Sequence, residues 1–124
     1  MQKLLFVGLG GFIGACLRYL VSVSSSKLTE TQLPYGTLIV NVIGGLLIGF
    51  IMGLSLTTDI ISPNLKLFLT VGLLGGFTTF SAFGYETISL LSDGSYLLGV
   101  LNISLNLILS LAGVVLGRFL SQLI

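Results

Sequence analysis

Gly99, Asn102, Asn106, Ser110, Gly113 and Gly117 stand in a stretch that is otherwise almost wholly Leu, Ile and Val. They advance by three, four, four, three and four residues, so all six share one stripe of a 3.6-residue helix. Two readings fit this stripe. Asn and Ser hydrogen-bond across membrane helices and glycine lets backbones approach closely, which makes packing glue. Asparagine is also expensive in hydrocarbon, and intramembrane polar side chains usually face a bundle interior or a water-filled path, which makes a polar lane.

A second group lies at Gly72 and at Gly75-Gly76-Phe77-Thr78-Thr79-Phe80-Ser81-Ala82-Phe83. Paired glycines followed by paired threonines propagate a helix poorly. The apolar stretch around them, about 65–91, is longer than the ~20 residues a straight span needs, so local unwinding near Gly75 to Thr79 is expected to take up the excess. Unwound backbone inside a bilayer is tolerated only where protein or a water-filled cavity surrounds it. Its freed carbonyls suit a cation, and its freed N–H groups an anion. Phe80 and Phe83 fall on neighbouring positions of one helix face. Phenyl rings in a membrane are ordinarily lipid-facing or packing groups, but their edges are weakly positive and can line an anion path.

The elements that must hold these residues follow from composition. The chain has 124 residues, 54% hydrophobic and 7% charged, with a mean hydropathy of +1.13. A soluble domain has about a quarter of its residues charged, so the solvent is the bilayer. Four spans fit, at about 4–21, 34–56, 65–91 and 96–120, forming a single all-α membrane domain. The polar stretch Ser22 to Gln32, the Thr57-Thr58-Asp59 to Pro63-Asn64 segment and Ser92-Asp93-Gly94-Ser95 are the connections. In the first span Gly8, Gly11, Ala15, Arg18 and Ser22 form the expected packing stripe, and in the second Gly45, Gly49 and Gly53 form a small-xxx-small ladder.

The chain has no histidine and one cysteine, Cys16, which excludes a His/Cys metal site and a disulfide framework. Four acidic and five basic residues leave no basic stripe for nucleic acid. No base, nucleophile pair or metal cluster supports a soluble enzyme. Lys3 and Ile13-Gly14-Ala15-Cys16 loosely match a lipoprotein signal. Processing there would leave an odd number of spans without the usual polar tether.

Three segments carry a resemblance to a family: GGFIGACLRY at 10–19, GTLIVNVIG at 36–44 and GGFTTFSAF at 75–83. Each is weak alone. In this order, on the first three spans of a four-span chain of this size, they resemble the signatures of the bacterial Fluc (CrcB-type) fluoride channels over essentially the whole chain. The resemblance implies an antiparallel dual-topology homodimer in the bacterial cytoplasmic (inner) membrane, with two fluoride pores and a third helix broken near its centre. It also implies a structural sodium ion, Na+, on the dimer axis, held by backbone carbonyls of Gly75 and Thr78. Asn41, Thr79, Phe80, Ser81, Phe83 and Ser110 match pore positions, and Arg18 matches a vestibule arginine. Arg18 also reads as a snorkelling interfacial anchor. Ala82 departs from the pattern, which more often has a hydroxyl there.

The implied function is passive export that lowers fluoride toxicity. Hydrogen fluoride crosses membranes as a neutral acid and dissociates inside, and the interior-negative potential drives the anion out. A selective pore must replace fluoride's water with hydrogen-bond donors, which Asn41, Ser81 and Ser110 carry. The alternative is a small dual-topology proton-coupled exporter of the multidrug type, which needs a protonatable carboxylate deep in the membrane. Glu86 is the only candidate on a span and lies towards a helix end, where an interfacial charge is the simpler reading. A non-transporting scaffold is a third class, against which the Asn/Ser stripe and the glycine-rich segment speak.

Overall fold

The computed structural model describes all 124 residues and is entirely helical. Helix α1 spans Gln2–Leu28, α2 Tyr35–Thr57, α3 Pro63–Leu67, a π-helical segment Phe68–Leu74, α4 Gly75–Phe77, α5 Ser81–Ser92 and α6 Tyr96–Ser121. Four stretches are long and apolar enough to cross a membrane: α1, α2, the 30 residues Pro63–Ser92, and α6. This is a multi-pass membrane protein.

The ends follow local chemistry. Helix α1 continues through Ser22–Ser26, beyond the end expected from the polar residues there. Ser25 Oγ donates to the Val21 carbonyl at 2.7 Å and Ser26 Oγ to the Val23 carbonyl at 2.9 Å, so these hydroxyls are satisfied by the helix itself. Helix α2 begins directly after Pro34. Ser62 caps α3 by accepting the Leu65 N–H at 3.3 Å, with Pro63 in the first turn. Between α5 and α6, Gly94 adopts φ +81, while Ser95 N–H donates to the Leu90 carbonyl at 2.9 Å and Gly94 N–H to that of Leu91 at 3.2 Å. That bond pair is a Schellman closure, and its left-handed residue is glycine because a Cβ disfavours it.

Side chains contribute little to the interior. Only 23 of 124 residues are buried, and Val40, Leu74 and Phe77 form the sole apolar cluster. Helices instead meet backbone to backbone. A Cβ at Gly49 would overlap the Val114 carbonyl oxygen, one at Gly117 the Leu46 carbonyl oxygen, and one at Gly45 would lie 2.6 Å from the Ser110 carbonyl oxygen. This seam fixes α2 against α6. A second seam joins α1 to the third span, where a Cβ at Gly14 would overlap the Leu73 carbonyl oxygen and one at Gly76 would lie 2.5 Å from that of Gly11.

The second seam corrects part of the expected first-helix stripe: Gly11 and Ala15 meet Gly76, but Gly8 does not take part. Gly10 and Gly14 are the buried glycines of α1, whereas Gly8 has nothing within 4 Å of an added Cβ. Small residues at three- and four-residue spacing occur on two adjacent faces of this helix, and Gly72 and Gly76 select the one that lets two glycine faces touch. The same contact explains where the third span bends. Gly75 and Gly76 stay helical, and the helix ends at Phe77, with Thr78 extended at φ −83 and ψ 162, before restarting at Ser81. Thr78 Oγ donates back to the Leu74 carbonyl at 2.9 Å and so closes the preceding turn.

Candidate functional site

The bend faces a cavity of about 420 Å³ between α2, the third span and α6. Asn41, Thr78, Thr79, Phe80, Phe83, Asn106 and Ser110 line it, with Gly75 and the apolar Ile48 and Leu74. Residues from three separate spans therefore converge on one space. Arg18 and Ser81 are not among them. Arg18 is half-buried on α1, and Ser81 is exposed with its hydroxyl 3.4 Å from that of Thr79.

Asn41 repairs the backbone at the bend. Its Oδ1 accepts the Thr79 N–H at 2.9 Å and its Nδ2 donates to the Thr79 carbonyl at 3.0 Å, a reciprocal pair for groups that the interrupted helix cannot serve. Thr79 Oγ1 in turn accepts the Ala82 N–H at 3.2 Å, at the start of α5. No hydrogen bond ends on the carbonyl oxygens of Gly75 or Thr78. Gly75 is exposed and Thr78 half-exposed. Two carbonyls without a hydrogen-bond partner on one bend are hard oxygen donors of the kind an alkali cation takes.

The remaining donors differ in availability. The second hydrogen on Asn41 Nδ2 goes to Asn106 Oδ1 at 3.0 Å. Asn106 Nδ2 donates to both the carbonyl and the Oδ1 of Asn102, each at 3.0 Å. Asn102 Nδ2 donates to Thr87 Oγ1 at 2.9 Å, and Thr87 donates to the Phe83 carbonyl at 2.7 Å. Asn102 and Asn106 are both buried. Sequence periodicity put these asparagines on one stripe but could not reveal that they join Asn41, which is 65 positions away from Asn106. Ser110 Oγ is the exception: it is buried beside the cavity and has no partner.

The rings of Phe80 and Phe83 lie 5.5 Å apart, centroid to centroid, inclined at 53°. Phe80 is 83% exposed, so one side of the cavity wall is a ring that this chain leaves uncovered. A tilted pair presents edge hydrogens as well as faces to a neighbouring ion.

Glu86 lies elsewhere. Its Oε1 accepts the Thr37 hydroxyl at 2.8 Å beside a separate, polar cavity of about 370 Å³, near Ser22, Ser25, Glu30 and Gln32. Ser22 and Ser25 lie in the last turns of α1, and Glu30 and Gln32 in the connection to α2, so this carboxylate stands towards that end of the bundle. A mid-membrane proton carrier has no candidate at the bend.

Comparison with known proteins places the chain in a family. The family described as "CrcB-like protein, Camphor Resistance (CrcB)" matches residues 5–118. A protein of Clostridium novyi named fluoride-specific ion channel FluC is 53% identical over 100% of this chain and 99% of its own length. One of the same name from Clostridium perfringens is 56% identical over the same shares. Another, from a Sulfurihydrogenibium species, is 48% identical over 97% of this chain and 100% of its own. With the family match running through all four spans, this chain belongs to the CrcB family.

Proposed function

We propose that the chain is a fluoride-selective channel, not an enzyme, which lets fluoride leave the cytoplasm passively across the bacterial inner membrane. The observation that carries this reading is the cavity at the bend, where a buried, unpartnered Ser110 hydroxyl and the Asn41 amide face the Phe80–Phe83 pair with no carboxylate among the lining residues. The similar proteins named for fluoride support the choice of ion.

Fluoride is small and holds its water tightly. Entry into the cavity replaces that water with the hydroxyl of Ser110, the amide of Asn41 and phenyl edges. These donors are neutral and no charged side chain lines the cavity, so the ion is not trapped. Thr79 and Ser81 extend the hydroxyl-bearing stretch at the bend. Arg18, near the end of the first span, raises the anion concentration at the mouth.

The working unit is an antiparallel dual-topology homodimer with two pores. Its second copy covers the exposed Phe80 and the thin, lipid-like outer face. Lys3, Lys66 and Arg118 on one side against Arg18 and Lys27 on the other leave almost no positive-inside bias. At the dimer axis the free carbonyls of Gly75 and Thr78 from both copies hold a structural sodium ion. Those carbonyls would hold the ion as a structural element that is not transported, and its positive charge would offset the repulsion between the carbonyl oxygens gathered around it.

Purified protein in liposomes loaded with fluoride tests this reading with an ion-selective electrode. Fluoride should leave only when a potassium ionophore balances the charge, and chloride should stay. Flux that requires a proton gradient, or that moves lipophilic cations, would refute it.

A further inference from the structure

Asn41 makes three hydrogen bonds, and only two belong to the bend. The reciprocal pair with Thr79 orients the amide fully, since Oδ1 must meet an N–H and Nδ2 a carbonyl. The bond from Nδ2 to Asn106 Oδ1 orients nothing further. It does occupy the one amide hydrogen that the bend leaves over, between two residues that both line the cavity.

Asn106 cannot turn its other end to Asn41. Both of its N–H bonds go to Asn102, whose own amide is tied through Thr87 to the Phe83 carbonyl. Every donor in this run points the same way, from α2 through α6 to α5. Rotating the Asn106 amide would break three bonds, setting N–H against N–H at Asn41 and oxygen against oxygen at Asn102. Asn106 Oδ1 is thus a fixed acceptor on the cavity wall, one helical turn from Ser110.

We infer that Asn106 is a place-holding acceptor: an anion in the cavity takes the free Ser110 hydroxyl directly, and gains the Asn41 N–H only by displacing Asn106 Oδ1. This rests on the fluoride-channel reading and adds to it a residue that sets how tightly fluoride is held. Exchange of one acceptor for another keeps the Asn41 N–H paired before and after the ion passes, while the arriving ion gives the unpartnered Ser110 hydroxyl an acceptor. The site binds more weakly than its donors alone allow, and the ion leaves faster.

The test is the fluoride concentration at half-maximal efflux in liposomes, measured for the parent, Asn106→Ser and Asn106→Asp. Serine is too short to reach Asn41 and can bond back to the Asn102 carbonyl, as Ser104 in the same helix does to Val100 at 2.8 Å. Without the competitor, half-saturation should fall about fivefold, the equivalent of one ordinary hydrogen bond, and maximal flux should fall with it. Aspartate keeps the acceptor and adds charge, so half-saturation should rise about tenfold or more. A monodisperse Asn106→Ser protein that saturates at the parent concentration overturns the inference while leaving the channel reading intact. If that variant does not purify as a monodisperse species, Asn106→Asp decides, and half-saturation at or below the parent value overturns the inference. A parent that carries no fluoride overturns both.

Discussion

Replacing Asn41 by aspartate changes one atom and reverses the chemistry of the cavity wall. Two of the three Asn41 hydrogen bonds are donated by Nδ2, to the Thr79 carbonyl and to Asn106 Oδ1. A carboxylate donates neither, and each buried acceptor left facing it costs about 1–3 kcal/mol, so the bend loses about 2–6 kcal/mol of support. The ion meets a second penalty. A like charge about 4 Å away, at an effective dielectric constant of about 20, repels fluoride by about 4 kcal/mol, or about a thousandfold in occupancy. Asn41→Ala separates the two effects, because it loses all three hydrogen bonds and adds no charge. Electrode-monitored efflux from liposomes, with size-exclusion profiles to confirm that each protein is intact, should rank parent, then Asn41→Ala, then Asn41→Asp, with the last two about a thousandfold apart. If the aspartate variant conducts within tenfold of the alanine variant, the amide does not face the ion and the lane lies elsewhere.

Phe80→Ile and Phe83→Ile keep apolar bulk but remove ring edges, so each should slow fluoride efflux about three- to tenfold, read by the same electrode. Exchanging sodium for a much larger organic cation during purification should abolish flux or dissociate the dimer, read by cross-linking, and indifference to the cation would remove Gly75 and Thr78 as its ligands. Gly117→Ala sets a methyl against the Leu46 carbonyl oxygen and should cost about 1–3 kcal/mol through overpacking, seen as a lower melting temperature in detergent.

Much of this architecture was readable before any coordinates. Pro34 and Ser92-Asp93-Gly94-Ser95 are turn chemistry, and the α6 stripe is a periodicity that its helix buries at Gly99, Asn102, Asn106, Gly113 and Gly117. The face of α1 was not readable, because choosing between two overlapping sets of small residues requires the partner helix. The bend falls within the expected Gly75–Thr79 window, but at Thr78 and not at the paired glycines. Gly75 and Gly76 have the weaker helix propensity, yet Gly76 is held straight by contact with Gly11 and Ala15, so the chain yields at Thr78 instead. The cavity residues Asn41, Thr79, Phe80, Phe83 and Ser110 were named from motif and spacing, and they do meet. Their hydrogen-bond order was hidden, since one chain's periodicity says nothing about which amide faces which.

The glycine seam between α2 and α6 has a consequence for how this protein can fluctuate and diverge. Where main chain touches main chain, no rotamer exists whose flip widens the gap, so local motion is confined to bending whole helices. The separation of Asn41 from Asn106 is then a main-chain quantity, insensitive to side-chain disorder. Divergence meets the same constraint in another form. Glycine has no neighbour smaller than alanine, and at Gly49 and Gly117 that single step already collides with a carbonyl. Leu, Ile and Val on the outer faces can drift in small increments, whereas the width of the seam can change only by a jump that moves a helix.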